Sequence, residues 1–190
     1  MRCVYLVAIA ALLFACATSN LNGNYVLKNK ATRSIVVLGV QPDYRVIVTA
    51  GHIKANAFQF DGFALPAFSI TPVDGYIVAA LDATKGDTRY AITQVTDTNH
   101  GNHIYTPCGN TSPTFTVKPG VITYLGSYYF REGPDGLSRT ISYDVTSARE
   151  YIRTHYRRLT GLPFIIEHAS DMHIINEPCG TPIFIFLPIR

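Results

Sequence analysis

Short apolar runs separated by turn-forming residues are the feature that most restricts what this chain can fold into. Runs rich in β-branched and aromatic residues occur at 34–40, 44–49, 52–60, 76–81, 88–95, 113–117, 121–130 and 139–144. The breaks contain turn signals such as Asp61-Gly62 and Pro119-Gly120. Repeated short strands of this kind are typical of sandwiches and barrels. A parallel sheet would require strands that alternate with helices, and the sequence does not show this alternation. The sequence therefore predicts a mostly β protein built as an antiparallel β-sandwich.

The composition agrees with a chain of buried strands. Charged residues make up 15% of the 190 residues, and the chain contains 12 Tyr and 10 Phe. Soluble domains carry about 25% charged residues, so the composition excludes disorder and a coiled coil. The pI near 8.7 is below the value of about 9 that indicates nucleic-acid binding, and we expect no nucleic-acid partner.

One segment, about residues 145–159, has helical rather than strand periodicity. Its apolar residues recur three or four positions apart: Val145, Ala148, Ile152, Tyr156 and Leu159. Ser147 and Glu150 have the spacing of a capping box, and Gly161 and Pro163 follow as stop signals. The sequence predicts one long amphipathic helix packed on the sheet.

The polar side of this helix carries four arginines, Arg149, Arg153, Arg157 and Arg158. On an ideal helix the first three lie within about 80° of one another and form a stripe. Two interpretations remain open. The stripe is a solvated face, or it contacts an anionic partner such as envelope lipid head groups.

The N-terminus predicts secretion. Arg2 precedes an apolar run from Val4 to Ala15, which is the pattern of a signal peptide and is shorter than the roughly 20 residues of a membrane span. Residues 13–16, Leu-Phe-Ala-Cys, resemble a lipobox, in which Cys16 is acylated and the signal is removed before it. Ala15-Cys16-Ala17 also fits ordinary signal peptidase, which would release a soluble protein.

The lipobox interpretation divides the chain into three parts. Residues 1–15 are the signal peptide, 16–24 a flexible tether, and 25–190 a single domain. In lipoproteins an Asp after the acylated Cys is the common signal for retention in the inner membrane. Ala17 occupies that position, so the resemblance implies an outer-membrane lipoprotein that faces the periplasm.

Two further cysteines suit an oxidising compartment. Cys108 and Cys179 each stand in a Pro-Cys-Gly sequence, a turn-forming context. We predict a disulfide between them that ties the C-terminal segment to the middle of the domain. The alternative is two buried, unpaired thiols.

A metal site is the sharpest chemical alternative. His100 and His103 stand three residues apart, with Asp97 before them and Cys108 after them, and such donors suit Zn²⁺ or Cu²⁺. The loop is rich in Gly and Asn, and no second Cys/His pair follows at the spacing of a structural site. We therefore favour a solvated loop that happens to contain two histidines, and Cys108 is assigned to the disulfide. We expect no metal and no cofactor.

A resemblance extends the interpretation of the fold. Residues 115–126, Phe-Thr-Val-Lys-Pro-Gly-Val-Ile-Thr-Tyr-Leu-Gly, resemble a hairpin of small uncharacterised bacterial lipoproteins with a transthyretin-like or carboxypeptidase-regulatory-like β-sandwich. Asp144 and Ala148 match the pattern that opens a helix after it. The resemblance covers about residues 110–160 and the lipobox. It implies a fold and a location, and no catalytic residues.

The combined expectation is a lipid-anchored cell-envelope module that binds a partner or has a structural role, without enzymatic turnover. The Gly-x-Ser-x-Gly signature of hydrolases is absent from the sequence. The alternative function is a secreted or envelope hydrolase or a metal-binding protein that uses the His100/His103 loop. The alternative location is a soluble secreted or periplasmic protein. Strand periodicity also places Tyr124 and Tyr128 on one face and Tyr129 on the other, which suggests an aromatic platform or core packing.

Overall fold

Most of the β-branched and aromatic runs form strands. The computed structural model describes residues 19–60, 65–84, 86, 88–98, 103–105, 111–133 and 136–175, and strands account for 57% of them. These strands are β1 (Arg33–Gln41), β2 (Arg45–Lys54), β3 (Ala57–Phe60), β4 (Pro66–Ile70), β5 (Tyr76–Asp82), β6 (Arg89–Asp97), β7 (His103–Tyr105), β8 (Thr111–Phe115), β9 (Ile122–Gly133), β10 (Gly136–Ser142), β11 (Phe164–Ile166) and β12 (Ser170–Ile175). One α-helix, α1 (Val145–His155), and a 3-10 turn, Arg157–Leu159, complete these ranges. The prediction of a mostly β protein is confirmed.

The first sheet has the strand order β10–β9–β1–β5, and β11 pairs with β9 beside β10. Residues 34–40 of β1 are all buried, because one face of the sheet packs on the second sheet and the other packs under the helix. β1 pairs with β9 in parallel, whereas an antiparallel arrangement was predicted. A parallel pair needs a long connection, and the chain between β1 and β9 is long enough to build β2 to β8.

The second sheet closes on itself. Its pairings run from β2 to β3, β12, β8 and β6, and β6 pairs with β2 again, while β4 and β7 lie outside this ring. Three of its strands contribute a small buried cluster, Phe58, Ala91 and Ile174. A Cβ at Gly51 would lie 2.1 Å from the carbonyl oxygen of Gln59, so the sharp approach of β2 to β3 requires glycine. Five strands of this sheet therefore form a closed barrel.

The main core lies between the first sheet and the barrel. It combines buried side chains from β1, β5 and β9 with others from β2, β4 and β6: Val36, Leu38, Ile77, Ala79, Leu125 and Tyr128 on one side, and Val46, Val48, Phe68, Ile70 and Ile92 on the other. Burial of this many apolar side chains, at about 1.5–3 kcal/mol each, is the dominant stabilising contribution. It fixes the first sheet as a rigid support for the helix on its opposite face.

A bulge in β9 changes which tyrosines share a face. Gly126 has φ +96°, and the register of β9 against β1 shifts here by one residue. Tyr124 consequently packs under the helix, whereas Tyr128 lies in the main core. The prediction that these two tyrosines share one face is wrong, because strict alternation does not continue through a bulge.

The N-cap of the helix lies one turn before the predicted cap, Ser147. Asp144 is the N-cap, and its Oδ1 accepts a hydrogen bond of 3.0 Å from the backbone N–H of Ser147. The Ser147 hydroxyl donates to Asp144 Oδ2 over 2.7 Å, so the proposed Ser147–Glu150 capping box is wrong. The hydrogen bonds hold the Asp144 carboxylate in its ionised form and lower its pKa.

The helix ends earlier than predicted, but its apolar face packs on the sheet as predicted. Helical geometry stops at His155, because Tyr156 has φ −134° and ψ 56°, and the 3-10 turn follows. Ala148, Ile152 and Leu159 are buried against the first sheet, which confirms the apolar face. The predicted helix of residues 145–159 is therefore a shorter helix followed by one 3-10 turn.

Candidate functional site

Three aromatic rings form a ladder where the helix crosses the start of β5. Tyr151 lies between Tyr76 and His155, with a centroid distance of 4.5 Å to each ring and interplanar angles of 27° and 30°. Tyr151 and His155 are neighbours on the helix because they stand four residues apart. Tyr76 joins them from the sheet. The ladder therefore holds the helix to β5 and presents stacked rings at their junction.

Hydrogen bonds and burial fix the central ring of the ladder. The Tyr151 hydroxyl donates to the carbonyl oxygen of Val73 over 2.9 Å, and 8% of the residue is exposed. Burial is the main cause that raises the pKa of Tyr151 above the ordinary phenol value. Burial likewise raises the pKa of Tyr76. Both phenols are therefore neutral at physiological pH, and they serve as hydrogen-bonding and stacking groups.

The N-terminal segment runs beside this junction. The Asn20 side chain donates to the Tyr76 carbonyl (3.1 Å) and accepts from the Val78 N–H (2.6 Å), as a neighbouring strand would. The Leu21 N–H donates to the Val78 carbonyl over 3.0 Å. A Cβ at Gly23 would lie 2.8 Å from the carbonyl oxygen of His155. Part of the predicted tether, residues 16–24, thus contacts the edge of β5 and the end of the helix.

The exposed side of the helix carries a compact polar network. Glu150 accepts from Arg153 Nε (2.8 Å) and Nη2 (2.6 Å), and its Oε1 also accepts from the Thr154 hydroxyl (3.2 Å). The hydrogen bonds between the two side chains are the largest cause of both pKa shifts: they lower the pKa of Glu150 and raise the pKa of Arg153. The two opposite charges are therefore paired with each other at the rim of the ladder.

The ladder and this network enclose a shallow, open groove of about 390 Å³. Its lining residues are Tyr76, Thr146, Ser147, Glu150, Tyr151, Thr154 and His155. Small-molecule sites have volumes of about 300–1,000 Å³ and combine apolar walls with a few oriented polar groups. Aromatic rings line this groove, and its rim carries hydroxyls, a carboxylate and an imidazole. The arrangement is suited to holding a small ligand by stacking and hydrogen bonds.

The predicted arginine stripe is divided among different surroundings. Arg149 lies with its guanidinium 4.9 Å from the centroid of Phe164, a cation–π contact, and Arg153 is paired with Glu150. Arg157 and Arg158 are exposed on the 3-10 turn, beyond the break at Tyr156. The four side chains therefore do not continue one helical stripe, and the anionic contact stays a prediction.

The other predicted site residues fall largely outside the described part of the chain. Four of them lie outside the described residues: Cys16, His100, Cys108 and Cys179. The lipidation and the disulfide therefore stay predictions. The backbone of His103 belongs to β7 and pairs with Asp97 of β6. Within the described residues, no group of three or more His, Cys, Asp or Glu side chains has the arrangement of a metal site.

Sequence reasoning did not find the groove. Tyr151 and His155 have the spacing of helical neighbours, and that spacing was an available signal. Tyr76, however, is 75 positions from Tyr151 along the chain and reaches it only through the fold.

Comparisons with models of protein families, with curated proteins and with solved structures gave no match. None of the helices in the described ranges combines the length and the apolar character that crossing a bilayer requires.

Proposed function

We propose that the protein is a lipid-anchored module of a bacterial cell envelope that binds a small ligand in the helix–sheet groove without chemical turnover. The observation that carries this proposal is the aromatic ladder. Two of its rings stand on the helix, one stands on β5, and the central ring is hydrogen-bonded to the backbone at Val73. A site held this rigidly by two elements loses little conformational entropy when a ligand binds.

The polar groups of the groove support binding rather than catalysis. The Ser147 hydroxyl donates to Asp144 and completes the helix cap. The Glu150 carboxylate is engaged by Arg153 and Thr154, and its pKa is lowered, whereas a carboxylate that acts as a general acid needs a raised pKa. Ser147 and Glu150 thus each have a structural partner within the helix.

A fragment screen by nuclear magnetic resonance tests the binding proposal. The full chain in detergent is mixed with a library of sugars, amino acids, nucleosides and choline, and backbone amide shifts are followed. We expect shifts grouped at residues 146–155 and at Tyr76, which the Tyr76→Ala variant removes. Tyr129→Ala is the matched control, because Tyr129 is 42% exposed on the same sheet but does not line the groove. Shifts absent from the groove throughout the library would overturn the proposal.

The anchor is supported by the lipobox resemblance at residues 13–16, and we propose an outer-membrane location facing the periplasm. Mass spectrometry of the wild-type protein is expected to find an acylated N-terminal Cys16. Replacement by serine, Cys16→Ser, is expected to abolish acylation and to move the protein to the soluble fraction. An unmodified mature N-terminus at Thr18 would favour the alternative, a soluble secreted or periplasmic protein.

We also propose that the first sheet and the facing wall of the barrel act as the two layers of a β-sandwich. The shared core, with Leu38 and Ile77 from one layer and Val48 and Phe68 from the other, supports this description. Sheets that pack face to face contribute inward-facing side chains from both layers in the same way. The helix then lies on the outer face of the first layer, where the groove opens to solvent.

A further inference from the structure

The charges that border the groove are already neutralised by each other. Glu150 and Arg153 form a two-bond ion pair, with distances of 2.8 and 2.6 Å. An anionic ligand would have to compete with Glu150 for the Arg153 guanidinium, and a cationic ligand would compete with Arg153 for the carboxylate. His155 is the remaining ionisable group on the rim, and it belongs to the ladder. A neutral ligand therefore fits the groove better than a charged one.

The remaining polar groups are of the kind that bind hydroxyl groups. The Thr146 hydroxyl can donate and accept. The Thr154 hydroxyl donates to Glu150 and can still accept a hydrogen bond. The Glu150 carboxylate has about four lone-pair sites, of which two accept from Arg153 and one from Thr154. One acceptor position is left for a ligand. Such a rim suits a molecule that carries several neighbouring hydroxyls.

The rings supply the complementary apolar contact. The stack with Tyr151 uses one face of Tyr76 and one face of His155, and both outer rings line the groove. The faces of aromatic rings carry the negative part of the quadrupole, so they attract the weakly positive C–H groups on the flat side of a sugar ring. A saccharide combines this C–H face with a hydroxyl edge.

We infer that the ligand of the groove is a neutral saccharide, held by C–H contacts with the outer rings of the ladder and by hydrogen bonds to the hydroxyl and carboxylate rim. The inference rests on the proposed function, because it names the chemical class of the ligand for the same groove. The open, shallow shape of the groove suits one end of a longer saccharide as well as a short one.

The experiment titrates the full chain in detergent with maltose, cellobiose, N,N′-diacetylchitobiose, choline, inorganic phosphate and adenosine, followed by amide shifts and by calorimetry. We expect at least one of the three saccharides to shift the groove amides. Tyr76→Ala and His155→Ala should each weaken its binding about tenfold, the loss of one aromatic contact worth about 1.4 kcal/mol. Thr154→Val, which removes one rim hydroxyl at nearly constant shape, should weaken the same saccharide.

Matched controls separate loss of the site from loss of the fold. His168→Ala is the matched control for His155. His168 is exposed, and its ring contacts Tyr143 with a centroid distance of 4.4 Å and an interplanar angle of 59°; neither residue lines the groove. Tyr129→Ala is the control for Tyr76. Both controls should bind the saccharide as the wild type does, and all variants should have the wild-type circular dichroism spectrum.

The outcomes distinguish this inference from the proposed function. Binding of choline, phosphate or adenosine at the groove amides, with none of the saccharides bound, would overturn the saccharide inference and leave the groove as a binding site. Saccharide shifts that persist in the Tyr76 and His155 variants would also overturn it. Groove amides that respond to none of the six probes or to the fragment library would overturn both.

Discussion

Replacement of Gly126 by alanine tests whether the bulge in β9 is required by the fold. The residue has φ +96°, a backbone conformation that costs a non-glycine residue about 1–3 kcal/mol. A Cβ at this position would also lie 2.8 Å from Ile141 Cγ2, 3.0 Å from the Ser142 carbonyl oxygen and 3.1 Å from Tyr143 Cε1. Overpacking of this kind costs a further 1–3 kcal/mol or so.

The two costs together predict that Gly126→Ala lowers the free energy of unfolding by about 2–6 kcal/mol. A typical domain is stable by about 5–15 kcal/mol, so the loss is a large fraction of the total. Urea denaturation followed by circular dichroism measures it directly as a lower midpoint at unchanged slope. The loss arises from the junction of β9 and β10, which supports the residue before the helix cap.

Gly161→Ala is the control for this experiment. Nothing lies within 4 Å of a Cβ built at Gly161, and its φ is not in the positive region. Its substitution should therefore change the free energy of unfolding by no more than about 0.5 kcal/mol. Equal midpoints for the two variants would refute the argument that the positive φ and the contacts with β10 demand glycine at position 126.

Three further predictions concern buried side chains and the cysteines. Tyr128→Phe should raise the free energy of unfolding by about 1 kcal/mol, because the Tyr128 hydroxyl is buried without a hydrogen-bond partner in the described part of the chain. Tyr124→Phe should lower the free energy of unfolding, because the Tyr124 hydroxyl is hydrogen-bonded to Ser127 Oγ at 2.9 Å. Burial raises the pKa of Tyr124, Tyr128 and Tyr151, so the stability they contribute should be complete below pH 10, the ordinary phenol value, and be lost as the pH rises above it. Phenolate absorbance that is present in the wild type and missing from the Tyr128→Phe variant at alkaline pH, while the wild-type circular dichroism stays native, would contradict this. Thiol titration of the unfolded, unreduced mature protein should find Cys108 and Cys179 oxidised, and two free thiols would refute their disulfide, whose loss should cost about 2–5 kcal/mol.

Local patterns were sufficient to predict most strands of the first sheet and the buried face of the helix. Residues 34–40 and 76–81 are continuous apolar runs that belong to β1 and β5, and Ala148 and Ile152 repeat at the helical period. In each case the pattern lies within a single strand or helix, so a short stretch of sequence is enough to predict that element.

Long-range closure was beyond these patterns. Ser170–Ile175 forms β12 and completes the barrel between β3 and β8, yet its sequence, Ser-Asp-Met-His-Ile-Ile, lacks a clear alternation. The chain between β2 and β3 turns at Ala55 and Asn56, both with positive φ, in the middle of the predicted run 52–60. These features depend on which strands meet, and one sequence read in short windows does not contain that information.

The candidate site depends on the fold in the same way. Asp144 replaces Ser147 as helix cap because an aspartate one turn earlier can accept the Ser147 N–H and hydroxyl together. The cap sets where the helix starts and therefore which residues face β5. Tyr151 and His155 reach Tyr76 only after this choice is made. The groove therefore depends on the position of the helix, and the predicted arginine stripe did not indicate where the groove lies.

The attachment of the N-terminal segment relates the groove to the proposed lipid anchor. Asn20 is hydrogen-bonded to Tyr76 and Val78 at the edge of β5, beside the ladder. Asn20 lies four positions after Cys16, and an extended chain spans at most about 14 Å over that length. If Cys16 carries the acyl chains, the edge of β5 is held within this distance of the bilayer surface. The groove would then open next to the membrane surface.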